Sequence, residues 1–131
     1  MAIKVTKWDK VFSNLIRERD GWSCQRCMSK FNPDDSSRRG LHCSHYYGRG
    51  DWQTRLEPYN AMALCYGCHR YVGSNPIEHT NLWELKFSSE ERQIVTDLRA
   101  GKNRIPKRLI QSEENYLRLK QLLLVYKKAR K

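Results

Sequence analysis

Asn60-Ala61-Met62-Ala63-Leu64-Cys65-Tyr66-Gly67-Cys68-His69 is the stretch on which the fold turns. Ala61 to Leu64 is an apolar run too short for a helix and suited to a buried strand. It leads directly into Cys65-x-x-Cys68, and the residues from about Tyr66 to Val72 read as a helix opened by that cysteine pair. A second pair, Cys24-x-x-Cys27, lies upstream. Four thiolates in two such pairs are the donor set of tetrahedral structural zinc, with each pair forming a tight knuckle around the ion. The fifth cysteine, Cys43, stands alone in a short strand and is set apart from the zinc group as a small apolar residue.

The insert between the pairs, Met28 to Leu64, exceeds the roughly 15–20 residues of a simple zinc ribbon and must hold structure of its own. Within it, Asn32 to Gly40 has loop composition and Leu41 to His45 reads as a strand, broken by Gly48-Arg49-Gly50. Upstream, Trp8, Val11, Phe12, Leu15 and Ile16 recur at helical spacing, and Asp20-Gly21 should stop that helix. Downstream, Ser74-Asn75-Pro76 signals a helix running through Leu82 and Leu85 to Phe87. Ser88-x-x-Glu91 resembles a capping box for a helix ending near Ala100-Gly101. A basic connector, Lys102 to Arg108, precedes a last helix from about Ser112 to Lys127. The expected fold class is α+β: a small zinc-stapled ββα core over about 20–73, with additional packed helices over about 75–131, all in one domain.

Charge narrows the range of partners. Twenty-five Lys plus Arg against 14 Asp plus Glu give a formal net charge of +11 in 131 residues, which points to a polyanion. The longest apolar run, Leu122 to Val125, is far below the roughly 20 residues that span a bilayer. No signal-peptide core opens the chain. A cytoplasmic location is expected, with no membrane partner, and reduced thiols there favour metal binding over disulfides.

His45 ends the first strand, Asn60 precedes the second, and His69 follows Cys68. In this respect Asn60-x-x-x-x-Cys65-x-x-Cys68-His69, with His45 upstream, resembles the zinc-containing HNH (His-Me finger, ββα-metal) endonucleases. His42-Cys43-Ser44-His45 followed by Gly48-Arg49-Gly50 is most similar to phage NinG-type recombination nucleases, and the cysteine layout is also similar to endonuclease VII-type resolvases. The resemblance covers roughly residues 20 to 73. It implies a ββα-metal fold and DNA as partner, double-stranded or branched, in the bacterial host cytoplasm if the chain is phage-encoded. It further implies phosphodiester hydrolysis leaving 5′-phosphate and 3′-hydroxyl ends, with Asn60 as an orienting residue.

The residue types fit that chemistry independently. A neutral imidazole has a pKa near the operating pH and can deprotonate water, the role assigned to His45. A hard divalent cation, Mg²⁺ or Mn²⁺, would offset charge at the phosphate and the leaving oxygen. His69 is its expected ligand, with Ser44 and His42 as further candidates. Many family members carry Asp or His where this chain has Ser44, so the metal shell departs from the usual pattern. Strand alternation places His42 and Ser44 on one face and His45 on the other, so His42 is no automatic substitute.

Arg49, Lys102, Arg104, Lys107 and Arg108 are the expected DNA contacts, with Lys127, Lys128, Arg130 and Lys131 as a second basic group. Tyr46 and Tyr47 could stack on a base or pack at the strand end, and His79 reads as a surface residue. Tyr116, Leu119, Leu123 and Tyr126 form a helical stripe suited to core packing, with a homodimer seam as its alternative use. The competing reading of the whole chain is a non-catalytic, zinc-dependent nucleic-acid-binding module on a degenerate HNH scaffold, and Ser44 is its main support.

Overall fold

The computed structural model describes residues 3–34 and 40–130. Residues 35–39 of the expected Asn32–Gly40 loop, and Lys131 of the second basic group, lie outside the described residues.

The chain is α+β. Helix α1 (Lys7–Arg19) starts where the Thr6 side chain accepts from the Asp9 N–H while the Asp9 carboxylate accepts from the Thr6 N–H, a reciprocal cap. It stops at Asp20, where Gly21 takes φ 64°, a left-handed conformation that glycine adopts without strain. Val11, Phe12, Leu15 and Ile16 form its buried stripe.

Two five-residue strands follow, β1 (Leu41–His45) and β2 (Ala61–Cys65), paired antiparallel with Leu41 opposite Cys65 and His45 opposite Ala61. Between them lie a four-residue helix, α2 (Trp52–Arg55), capped by the Asp51 side chain, and a 3-10 turn, Pro58–Asn60. Helix α3 (Tyr66–Gly73) begins at Cys65, which is at once the end of β2 and the cap of the helix. The strand–loop–strand–helix outline expected for the insert is therefore present.

Four more helices complete the chain: α4 (Pro76–Lys86), α5 (Ser89–Ala100), α6 (Lys107–Ile110) and α7 (Glu113–Ala129). Helix α5 has the expected Ser88/Glu91 capping box, and Gly101 closes it at φ 73°, with the Lys102 N–H bonded back to Asp97 O. That is the six-to-one bond of a Schellman ending. The connector before α7 is not wholly irregular, because Pro106 fixes the φ that lets Lys107–Ile110 coil into one turn. In α4, Trp83 is the core residue and Leu85 faces outward.

Two apolar clusters meet at the sheet. One joins Leu41, Met62 and Leu64 to Cys68, Val72, Trp83, Phe87 and Val95. The other joins Ala61 to the α1 stripe, Leu56, Ile110 and Leu119, and Cys43 lies against it. Tyr116, Leu122, Leu123 and Tyr126 of α7 pack onto the same cluster. The stripe expected on the last helix therefore packs against the core of the domain.

Both outer edges of the sheet are closed by side chains. Arg17 Nε donates to Leu41 O on the β1 edge (2.8 Å), and the Asp20 carboxylate accepts from Ala63 N on the β2 edge (2.8 Å). Asp20 also pairs with Arg19 and Lys86, so one buried carboxylate ties together the end of α1, the strand and α4. Among the described residues no helix is long and apolar enough to cross a membrane.

Candidate functional site

The four cysteines come together as the sequence requires. The Sγ atoms of Cys24, Cys27, Cys65 and Cys68 all lie within 4.8 Å of one another, a group that can hold a metal ion such as zinc. Cys27 Sγ and Cys65 Sγ are 3.7 Å apart, close to the edge of a tetrahedron with about 2.3 Å metal–sulfur bonds. Each pair forms the same knuckle. The Cys27 N–H points at Cys24 Sγ (3.5 Å) and the Cys68 N–H at Cys65 Sγ (3.4 Å). Donors aimed at sulfur favour thiolate, the metal-binding form. Hydrogen bonds from Ser29 pull the Cys27 thiol down to about 6, whereas burial pushes the Cys68 thiol up to about 12.

His69 leaves this knuckle on the first turn of α3 and meets His42 of β1, with the two Nδ1 atoms 2.9 Å apart. Burial and the nearby His42 and His79 rings lower the His69 pKa. The pair opens onto a cleft of about 440 Å³ that His45, Arg17, Arg49 and Asp9 also line. His42 and His45 thus share one site although alternation sends them to opposite faces of β1. The cleft lies beside that strand, where Arg17 covers the edge, and receives side chains from both faces. Ser44 does not belong to it: it is 2% exposed, faces Met62 across the sheet and lines no part of the cleft. Of the three residues considered as ligands of a catalytic ion, His42 and His69 line the cleft and Ser44 does not.

His45 is held by the backbone. Its Nε2 lies 2.9 Å from Arg55 O. A carbonyl only accepts, so Nε2 carries the proton and Nδ1 keeps the lone pair. Burial drives the His45 pKa down to about 4. The ring is therefore neutral throughout the physiological range.

Asn60, fully buried, acts one step away. Its Oδ1 accepts from Tyr47 N (2.9 Å), and its Nδ2 donates to Tyr47 O and Thr54 O (both 3.0 Å). It locks the loop between β1 and α2 at both ends, and so fixes the Arg55 carbonyl on which His45 rests. Asn60 orients the backbone rather than the imidazole itself.

Three residues that matter here are not apparent from motif spacing. Arg55 is buried and forms a bidentate pair with Asp9 (2.9 and 2.7 Å), donates to Arg49 O (3.0 Å) and Lys4 O (2.8 Å), and lies 4.0 Å over the Trp52 ring. Burial pushes the Asp9 carboxyl up, but hydrogen bonds from Arg55 and Thr6 leave it below its usual value. Arg17 shares the cleft wall. A signal did exist for two of them: Asp9, Ser13 and Arg17 follow an i, i+4, i+8 spacing, a polar stripe beside the apolar one, and all three line the cleft.

Removing one partner of the buried pair strands a charge, so Arg55→Met is expected to lower stability by about 3–5 kcal/mol in a urea titration. A loss below about 1 kcal/mol, the value of an exposed pair, would show that the bond does not organise the site.

The depressed His45 pKa makes a second prediction. Unfolded imidazole titrates near 6.5, so between pH 6.5 and 4 the unfolded chain binds a proton that the fold refuses. Stability is therefore complete above pH 6.5 and falls as pH drops through this window, by about 2 kcal/mol at pH 5. Urea midpoints at pH 7 and pH 5 should diverge by that much more for the native chain than for His45→Gln. Parallel acid losses in the two proteins would refute the burial of a neutral ring.

The remaining predicted contacts disperse. Lys102 pairs with Asp97 (3.2 Å) and Arg130 with Glu18 (2.8 Å), while Arg104 and Lys107 line a separate cleft beyond the 48–50 loop. Tyr46 stacks on Trp83 (4.0 Å between centroids, 8° between planes) and hydrogen-bonds Thr80, and His79 sits against Tyr46, so these rings are structural. The chain matches no family model, no curated protein and no solved structure.

Proposed function

We propose that the chain is a metal-dependent DNA endonuclease of the HNH type, in which His45 is the general base. The observation that carries the reading is His45 itself: a buried, neutral imidazole whose proton is fixed on Arg55 O, in a cleft shared with a histidine pair and two arginines. Such a ring is in its basic form at neutral pH and is held in one tautomer, although burial takes its pKa below the near-neutral value expected from the residue type and makes it a weaker base than a free imidazole. A water proton passes to His45 Nδ1 as the water oxygen bonds to phosphorus. The P–O3′ bond breaks, and the leaving oxygen takes a proton from solvent, giving a 5′-phosphate and a 3′-hydroxyl. Arg49 and Arg17 supply fixed positive charge for the phosphate oxygens. Asn60 and Arg55 keep the loop, and with it the base, in place.

His42 and His69 fit a divalent ion. Two imidazole nitrogens on one ion at about 2.0–2.1 Å each lie roughly 3 Å apart, and these lie 2.9 Å apart. When bound, the ion would stabilise negative charge on the phosphate and the leaving oxygen. Asp9, the carboxylate of the cleft among the described residues, is tied to Arg55. A donor set of two imidazoles favours a transition ion such as Mn²⁺ over Mg²⁺.

The test is a supercoiled plasmid with the zinc-loaded protein and each divalent ion in turn. Nicking that needs the ion, and is stronger with Mn²⁺ than with Mg²⁺, is the expected result. Tight binding without nicking under any ion would instead establish the second reading, a non-catalytic nucleic-acid-binding module, to which the Ser44 departure from the family pattern points.

A further inference from the structure

The cleft beyond the 48–50 loop has a volume of about 320 Å³ and is lined by Gly50, Asp51, Trp52, Gln53, Arg104 and Lys107, among others. It adjoins the histidine cleft through the loop itself, since Gly48 and Arg49 line the first and Gly50 the second. Two cations face it. Its acid, Asp51, is already engaged by Arg99 (3.2 Å) and by the Gln53 N–H, so the wall is left with net positive character. Lys107 Nζ stands 5.5 Å from the centre of the Trp52 ring.

The basic connector is held against this cleft by an unusual use of a buried side chain. Gln53 Nε2 donates to Ile105 O (2.8 Å), and the Ile105 N–H donates to Gln53 Oε1 (2.9 Å). One amide thus mimics a strand pair and fixes the backbone between Arg104 and Lys107 to α2. The brace sets the distance between these two cations and the histidine cleft.

We propose that this second cleft is a subsite for the DNA backbone, holding through Arg104 and Lys107 the phosphates next to the one in the histidine cleft. A strand is a repeating anion, and the loop that carries Arg49 is the wall shared by the two clefts. The cleft on the other side offers the charge to receive it, in a volume at the lower end of ligand-sized pockets. Naming these phosphates as neighbours of the scissile one rests on the endonuclease reading. The binding itself does not.

The experiment measures fluorescence anisotropy of a labelled DNA duplex with the zinc-loaded full chain carrying His45→Ala, over a range of salt. Arg104→Gln/Lys107→Gln on that background should weaken binding at least tenfold and reduce the slope of log affinity against log salt by about 1.8, the value of two phosphate contacts. Lys30→Gln/Lys120→Gln, which removes the same charge from two other exposed positions, should change binding less than threefold with its slope unaltered. Gln53→Leu should weaken binding with both cations still present. Equal losses from the two double variants, or an unchanged slope for Arg104→Gln/Lys107→Gln, overturn the subsite. Parallel plasmid assays separate the two proposals. Nicking with no local slope effect ends the subsite alone, whereas a local slope effect without nicking ends the endonuclease reading alone.

Discussion

His45→Ala is expected to lower the rate of plasmid nicking by about 10²–10⁴-fold, the usual contribution of a positioned general base. DNA affinity and zinc content should stay as they are, because the ring touches neither the cysteine group nor the basic connector. Its contacts are the Arg55 carbonyl and Phe12, whose ring centre lies 5.6 Å away. The pH profile gives a second check. An ordinary imidazole would lose half its base form at about pH 6.5, whereas burial holds the His45 pKa at about 4. Activity limited by this base should therefore persist well below pH 6.5 over the interval in which the zinc-bound fold survives. Equal nicking by the native chain and His45→Ala would remove the residue from the mechanism altogether.

The largest structural effect is expected from the cysteine group. Stripping metal from the chain, or replacing Cys24 with Ser, should abolish the cooperative melt and the near-ultraviolet circular dichroism, with zinc restoring both in the native sequence only. Structural zinc sites contribute roughly 10–16 kcal/mol in small domains, as much as the entire stability of a typical fold. The group also reaches further than a surface clip. Cys24 and Cys68 belong to the same buried cluster as Leu41, Met62, Leu64 and Trp83. Cys65 is both strand end and helix cap, so without the ion the turn that aims His69 at His42 loses its anchor. A chelated protein that melted at the native temperature would show that apolar packing alone carries the fold.

The parts of this architecture that were legible in sequence are those fixed by local chemistry. Asp20-Gly21, Ser88 with Glu91, and Gly101 are short-range stop and cap signals, and the double C-x-x-C spacing names its own partners. Strand β2 was legible because Ala61 to Leu64 is buried on both faces and therefore continuously apolar. What escaped reading depends on distance in the chain. Helix α2 is four residues long, shorter than any periodicity can reveal, and Arg55 acquires its importance from Asp9, 46 positions earlier. Gln53 likewise has no meaning until Ile105 folds against it. Alternation along β1 places His42 and His45 on opposite faces but does not reveal that one cleft beside the strand takes both. His42 came into the site for that reason, and Ser44 left it because its own position is sealed by packing.

A sheet of two strands consists entirely of edges, and exposed edges are templates on which other chains can add strands. In this fold the Arg17 guanidinium sits on Leu41 O and the Asp20 carboxylate on the Ala63 N–H, so each rim is blocked by a charged side chain in the place of a neighbouring strand. Self-association through the sheet would require breaking an ion-bearing hydrogen bond before forming an intermolecular one. The arrangement also brings a cation to the cleft rim. The arginine that covers the β1 edge is also one of the two that line the cleft, so under the endonuclease proposal edge protection and phosphate binding draw on a single side chain.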